Sequence, residues 1–271
     1  MKGYTTNSFG KEKRMSRIFG KNGRCVIVPL DDNLISGPFT GVSDWLSKIS
    51  QIEVSNPNAI LGFQGSLMKM RDFSIPQILN LSASTIQSCH TNKVLVNTLN
   101  EALRMDVDAV AMHINFTSRY ENRMIEILGS VSEKCDIYGI PLLVIAYPRQ
   151  EIEKSDGAFK DENYISVKNS DNEKYTDMVC HCVRAAFELG ADIIKTMYTG
   201  SEQSFKRVVQ SASGCPVIIS GGEVIPEEEL YLMVEEAMRA GSSGVCVGRN
   251  VFCRKNSDEI VNKLKEIVNK V

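Results

Sequence analysis

From residue 25 onward, short unbroken apolar runs alternate with longer stretches in which apolar residues recur every three or four positions. The runs are Cys25–Asp31, Ala59–Gln64, Ile78–Ser82, Asp108–Asn115, Pro141–Tyr147, Asp192–Tyr198, Cys215–Gly221 and Gly244–Asn250. Continuous rather than alternating apolar character suits strands covered on both faces, as in a parallel sheet. The stretches between them predict helices. Thr98 to Met105 is one; Tyr120 to Tyr138, with Met124, Ile127, Leu128 and Val131 in register, is another. Met178 to Leu189 and Glu227 to Ala240 repeat the pattern. Leu189–Asp192 and Arg239–Gly244 supply glycine stops between helix and strand.

Eight β/α units in 271 residues predict a single-domain α/β fold, a (β/α)8 TIM barrel spanning residues 25–271. A doubly wound sheet is the alternative, but the turn after the first run, Asp31–Gly37, lacks the G-x-G-x-x-G pattern. Residues 1–24 are basic and precede the first strand, which predicts an N-terminal arm or helix capping the barrel floor. Residues 150–172 are polar and follow the fifth strand, on the catalytic face of a barrel, where either a mobile lid or a plain surface loop would sit.

Composition adds exclusions. Apolar residues make up 43%, charged residues 24%, and the net charge is -2, so no broad attraction to nucleic acid or an anionic membrane is expected. Met1 to Gly10 lack the apolar core of a signal peptide, and no run approaches the roughly 20 residues of a membrane span; a cytoplasmic protein is the expectation. The eight cysteines contain no Cys-x-x-Cys pair. Cys180 and Cys182, flanking His181, would point about 200° apart on a helix, so reduced thiols and no metal site are expected.

The chemistry centres on Lys195, inside the apolar run Asp192–Tyr198. An ammonium there is costly unless paired or deprotonated, and burial favours the neutral amine that forms Schiff bases with carbonyls. Polar residues otherwise collect at strand ends, where barrels build active sites: Asp31 and Asp32, His113, Tyr147, Ser220–Gly222 and Gly248–Asn250. Loops after strands seven and eight are the recurrent phosphate site of barrels, and glycines followed by Arg249 suit an anion there. Tyr147 is the candidate proton shuttle, Asp31 the orienting carboxylate with Asp32 its rival, and His113 reads as a packed, hydrogen-bonded residue.

Val28–Asp31 with Gly37 and Pro38, Tyr147–Arg149, Ile194–Gly200, Ser220–Gly222 and Val247–Asn250, in that order, together resemble the archaeal-type class I aldolases. That group includes class I fructose-bisphosphate aldolase and 2-amino-3,7-dideoxy-D-threo-hept-6-ulosonate synthase, and Tyr147–Arg149 and Lys195–Gly200 look nearer to the latter. The resemblance implies Lys195 as the Schiff-base lysine, Tyr147 as general acid/base and Asp31 as the assisting carboxylate. It implies Ser220, Gly221, Gly222, Gly248 and Arg249 as the holders of a substrate phosphate. It also implies a phosphorylated small-molecule substrate, no cofactor beyond the covalent lysine, and a homo-oligomer, with decamers among the assemblies of the group. Two departures border the pocket: Asp32 stands where the group usually has histidine, and Ser82–Thr85 replaces a glycine-rich turn.

The expected activity is therefore that of a class I aldolase or transaldolase, joining a phosphorylated ketose donor to an aldehyde acceptor. Fructose-bisphosphate cleavage is the alternative. A sugar-phosphate isomerase or epimerase, with Lys195 as an electrostatic clamp, and a non-catalytic sugar-phosphate-binding barrel use the same residues.

Overall fold

A computed structural model describes residues 9–38, 45–153, 159–162, 168 and 171–270. Eight parallel strands close into a barrel: β1 (Cys25–Pro29), β2 (Ala59–Gly62), β3 (Gln77–Asn80), β4 (Ala109–Phe116), β5 (Leu142–Pro148), β6 (Ile193–Thr196), β7 (Val217–Ser220) and β8 (Gly244–Cys246). Neighbours in the barrel are neighbours in sequence, and β8 pairs with β1, Ile27 opposite Cys246, to complete the ring. All eight strands fall within the predicted runs or one residue from them. The polar ends of those runs leave the sheet: after β8, for example, Arg249–Phe252 turns into a short helix.

Side chains alternate along each strand. Cys25, Ile27, Ala59, Leu61, Ile78, Ala109, Ala111, Leu143, Ile145, Ile193 and Ile218 fill the interior. Their neighbours Val26, Val28, Ile60, Leu79, Val110, Met112, Leu142, Val144, Ile194, Val217 and Ile219 pack outward against the helices. Both sets are buried, which explains the unbroken apolar runs.

Besides α1 (Phe9–Ile18), the helices are those of the outer layer, α2 (Trp45–Ser55), α3 (Leu99–Arg104), α4 (Glu121–Tyr138), α5 (Asn172–Glu188), α6 (Glu202–Ser211), α7 (Glu227–Arg239) and α8 (Ser257–Lys270), with short helical turns between some of them. α5 starts six residues before the expected Met178 because Asp171 caps it, its carboxylate accepting from the Lys174 N–H at 3.0 Å. Of residues 150–172, the described part includes an antiparallel ribbon, Gln150–Glu153 against Phe159–Glu162; the rest of the expected lid lies outside the described residues.

α1 stoppers the N-terminal end of the barrel. Met15, Ile18 and the following Phe19 join the interior cluster beside Cys25, Ile78 and Leu143. Ion pairs fasten both ends of the helix. Lys11 meets Asp136 of α4 at 2.5 Å and Asp192, which precedes β6, at 2.8 Å. Arg17 meets Asp108, which precedes β4, at 2.5 Å. Asp192 and Asp108 also accept backbone N–H groups of Leu142 and Gln77, so the same carboxylates tie strand to strand and floor to helix. Ile18 is fully buried there, so Ile18→Ala is expected to destabilise the protein by about 2–5 kcal/mol in urea denaturation.

Candidate active site

The two-residue period of the strands decides which polar side chains meet. Interior positions of β5 run Leu143, Ile145, Tyr147; those of β6 run Ile193, Lys195; those of β4 run Ala109, Ala111, His113. Cys246 takes the same place on β8. Asp31 continues the interior parity of Cys25 and Ile27 beyond β1. Asp31, His113, Ile145, Tyr147, Lys195 and Cys246 line one cavity of about 450 Å³ at the C-terminal mouth, together with Ser220, Gly221, Gly222, Gly248 and Arg249. Every residue expected to act from sequence thus borders the same space.

Lys195 is 6% exposed and hydrogen-bonds the Cys246 thiol. Burial alone pushes its ammonium toward the neutral amine, but Cys246, Tyr147 and Asp31 facing it outweigh that and hold the lysine above its ordinary value. Burial thus acts on the amine in the expected direction, and the groups that face it act against burial. Burial raises the Asp31 carboxyl above the ordinary range, against the pull of Lys195, of the Asn80 amide donating at 2.9 Å, and of Lys93. The thiol of Cys246 is pushed up to about 11, by burial first.

Tyr147 is clamped from two sides. The His113 ring meets its face edge-on, with centroids 5.0 Å apart and planes at 81°, and the Arg149 guanidinium lies 5.8 Å from its centroid. His113 is buried as expected, its backbone N–H donating to Ser82 Oγ at 2.8 Å. Its ring Nε2, however, has no hydrogen-bond partner among the described residues. Burial first, then the cations Lys93, Arg149 and Lys195 with His90, keep this ring neutral.

On the opposite wall, the β7 and β8 loops are stitched by Asn250. Its amide donates to the Gly221 and Glu223 carbonyls at 3.0 and 2.6 Å, and its Oδ1 accepts from the Ile225 N–H at 3.0 Å. A Cβ on Gly221 would stand 2.7 Å from Val247, and Gly222 adopts φ +65°, so both positions require glycine. Arg249 lies on the rim, its Nε 3.8 Å from Asp32. The departure at Asp32 therefore sets a carboxylate beside the arginine expected from sequence to meet an anion.

Sequence reasoning missed the network behind Arg149. Its Nη1 donates to His90 Nε2 at 2.5 Å. The remaining contacts then require the other tautomer nitrogen, Nδ1, to carry the proton and donate to Ser84 Oγ at 3.3 Å. Ser84 donates to the His90 carbonyl at 2.6 Å and accepts from Lys93 Nζ at 2.7 Å, and Lys93 is only 1% exposed. The replaced turn Ser82–Thr85 thus supplies two of the hydroxyls that organise this wall. Among the described residues no cluster of three or more His, Cys, Asp or Glu side chains is arranged to hold a metal ion, and no helix is long and apolar enough to cross a membrane.

Residues 25–254 match the DeoC/LacD family aldolase. A relative from Archaeoglobus fulgidus, 2-amino-3,7-dideoxy-D-threo-hept-6-ulosonate synthase 1, is 36% identical over 95% of this chain and 89% of its own length. The 2-amino-4,5-dihydroxy-6-oxo-7-(phosphonooxy)heptanoate synthase of Streptomyces griseus is 31% identical over 96% of this chain and 90% of its own. Among solved structures, an archaeal fructose 1,6-bisphosphate aldolase superposes with a TM-score of 0.82 at 27% identity, covering 96% of this chain and 99% of that one. Another, of an archaeal fructose-1,6-bisphosphate aldolase whose catalytic lysine is bound to the carbinolamine intermediate, superposes with a TM-score of 0.81 at 27% identity, covering 94% and 98%.

His90 carries a pH prediction. Burial, then Lys93 and Arg149, lower its value from 6.5 to about 3, so the folded state keeps it neutral while the unfolded chain binds a proton first as pH falls. Its environment therefore subtracts stability progressively between about pH 6.5 and pH 3. His90→Gln is expected to lose less stability than the parent between pH 7 and pH 4 in paired urea titrations, and the His90 ring to show no NMR titration above about pH 4.

Proposed function

This chain belongs to the DeoC/LacD family of aldolases and is a class I, Schiff-base carbon–carbon lyase, and from that premise we propose that it joins a phosphorylated ketose donor to an aldehyde acceptor, as an aldolase or transaldolase of the 2-amino-3,7-dideoxy-D-threo-hept-6-ulosonate synthase kind. The observation that carries this reading is the buried, inward-facing Lys195 in one cavity with Tyr147, Asp31 and the glycine–arginine loops of β7 and β8. Family membership sets aside the isomerase, epimerase and non-catalytic alternatives.

The residues divide the work by position. Ser220, Gly221, Gly222, Gly248 and Arg249 hold the donor phosphate, which brings the ketone to Lys195. Asp31 accepts the lysine proton, and the amine attacks the carbonyl carbon to give a carbinolamine. Tyr147 protonates the departing hydroxyl, water leaves, and the iminium forms. Cleavage of the bond between the α and β carbons sends its electron pair into the iminium to give an enamine, and Tyr147 takes the proton of the β-hydroxyl as that carbon becomes the released aldehyde. The enamine then adds to the acceptor and water returns Lys195 to its amine. The iminium is the electron sink, so the reaction needs no metal. Likeness to fructose 1,6-bisphosphate aldolases supports a second reading, in which the acceptor is a phosphorylated triose.

Borohydride added with dihydroxyacetone phosphate is expected to leave a covalent adduct on intact-protein mass, and Lys195→Met to abolish it; an adduct surviving that substitution would refute the mechanism. Tyr147→Phe is expected to lower kcat by about 10²–10⁴-fold while the adduct still forms. Asp32→Asn frees Arg249 of its neighbouring carboxylate, and a several-fold lower KM for the phosphorylated donor is the expected result.

A further inference from the structure

On the side away from Lys195 the barrel interior ends at α1, and a second cavity, of about 420 Å³, opens beside that helix. Helical spacing decides which side chains reach it. Lys11, Met15 and Ile18 form the buried stripe of α1, and Arg14 and Arg17, three residues apart, project together along one flank of that stripe. Arg71 and Ser74, from the loop before β3, line the cavity with them, as do Asp106 and Asp108, from the turn between α3 and β4. This space shares no lining residue with the cavity at the mouth.

The basic residues of α1 are not equally provided for. Lys11 is paired with Asp136 and Asp192, and Arg17 with Asp108. Arg14 is half-buried and makes no ion pair or hydrogen bond among the described residues, although its Nε is shut off from solvent. A guanidinium N–H that has lost water and gained no acceptor is costly, so the position calls for an acceptor from outside the chain. The acidic residues of the cavity do not meet that need. Asp108 is engaged by Arg17 at 2.5 Å and by the Gln77 N–H at 3.0 Å, and Asp106 is exposed, where water screens its charge. Arg71 has Asp72 at 3.6 Å, but both side chains are exposed, and such a pair holds weakly. Residues 1–8, ahead of α1, contain no aspartate or glutamate.

We propose that this floor cavity binds a small oxyanion, a phosphate or a carboxylate, with Arg14 as its principal ligand and Arg17, Arg71 and Ser74 around it. The site stands apart from the reaction proposed above and lies at the other end of the barrel. Phosphate and carboxylate oxygens match the planar fork of a guanidinium, and several arginines on one cavity offset the cost of taking the anion out of water. A volume of about 420 Å³ falls in the range of small-molecule pockets. The bound anion bridges α1 to the loop before β3, so it acts as a clasp on the helix that closes the floor. It binds the folded chain alone, and it stabilises that state increasingly as its concentration rises above the dissociation constant.

The test uses inorganic phosphate and citrate as probes, with chloride at matched ionic strength to account for screening. At about 100 times the dissociation constant, the better probe is expected to raise the Tm of the parent by roughly 5 °C over chloride, and which of the two is better separates a phosphate from a carboxylate ligand. Arg14→Gln is expected to weaken binding roughly 10–100-fold in calorimetric titration and to lower that rise by about half or more, the scale of one charge-assisted pair. Arg249→Met, which alters only the mouth, is expected to keep the part that Arg14→Gln removes. Amide exchange is expected to slow in α1 and over residues 71–77 when the probe is bound. An equal rise in the parent and Arg14→Gln overturns the proposal, as does a rise lost only in Arg249→Met, slowed exchange confined to the mouth, or a chloride effect as large as that of both probes. Should Arg14→Gln not fold, Arg71→Gln on the exposed loop is measured in the same way, and a rise it leaves unchanged refutes the site.

Discussion

An ammonium buried inside a barrel is stable only where neighbouring groups replace the water it has lost. For Lys195 those groups are Asp31, the Cys246 thiol and Tyr147, supplied by β1, β8 and β5. The lysine therefore binds together strands that are remote in sequence, and its place in the interior layer follows from counting two residues on from Ile193. Asp31, whose carboxyl burial raises, faces Lys195 in the same cavity.

Charge is distributed around that centre unevenly. The described polar wall holds Arg149 and Lys93, with His90 and His113 kept neutral by those cations and by burial. Arg249 marks the opposite rim, moderated by Asp32. A net charge of -2 conceals this local excess of positive groups, so composition alone gave no sign of it. The neutral His90 matters because it accepts from Arg149 where a further cation would repel it.

Much of the architecture was legible in the chain. Strands covered on both faces read as unbroken apolar runs, and a lysine inside one of them, with tyrosine, aspartate and glycines at the ends of others, marked the mouth of the barrel. What escaped notice depends on contacts between loops. Ser84, His90 and Lys93 occupy a segment with neither two- nor three-to-four-residue periodicity, and nothing in their spacing indicates that they converge on Arg149, 59 residues beyond His90. The pairing of Asp32 with Arg249 is equally silent, because it joins the first β/α loop to the last. The early start of α5 was hidden by a polar first turn, in which only the capping role of Asp171 separates helix from loop. The groups that face Lys195 could not be read from its apolar neighbours in sequence, since they come from other strands.

The helix at the floor bears on how the chain reaches its native state. α1 is the first described element, yet its anchors lie far downstream: Arg17 and Asp108 are 91 residues apart, and Lys11 and Asp136 are 125 apart. Its apolar face needs the interior of a ring that closes only when β8 joins β1. Contacts of such long sequence separation form late, after the entropy of closing large loops has been overcome. Met15, Ile18 and Phe19, on a segment made early, therefore find their native partners only once strands far downstream have been added.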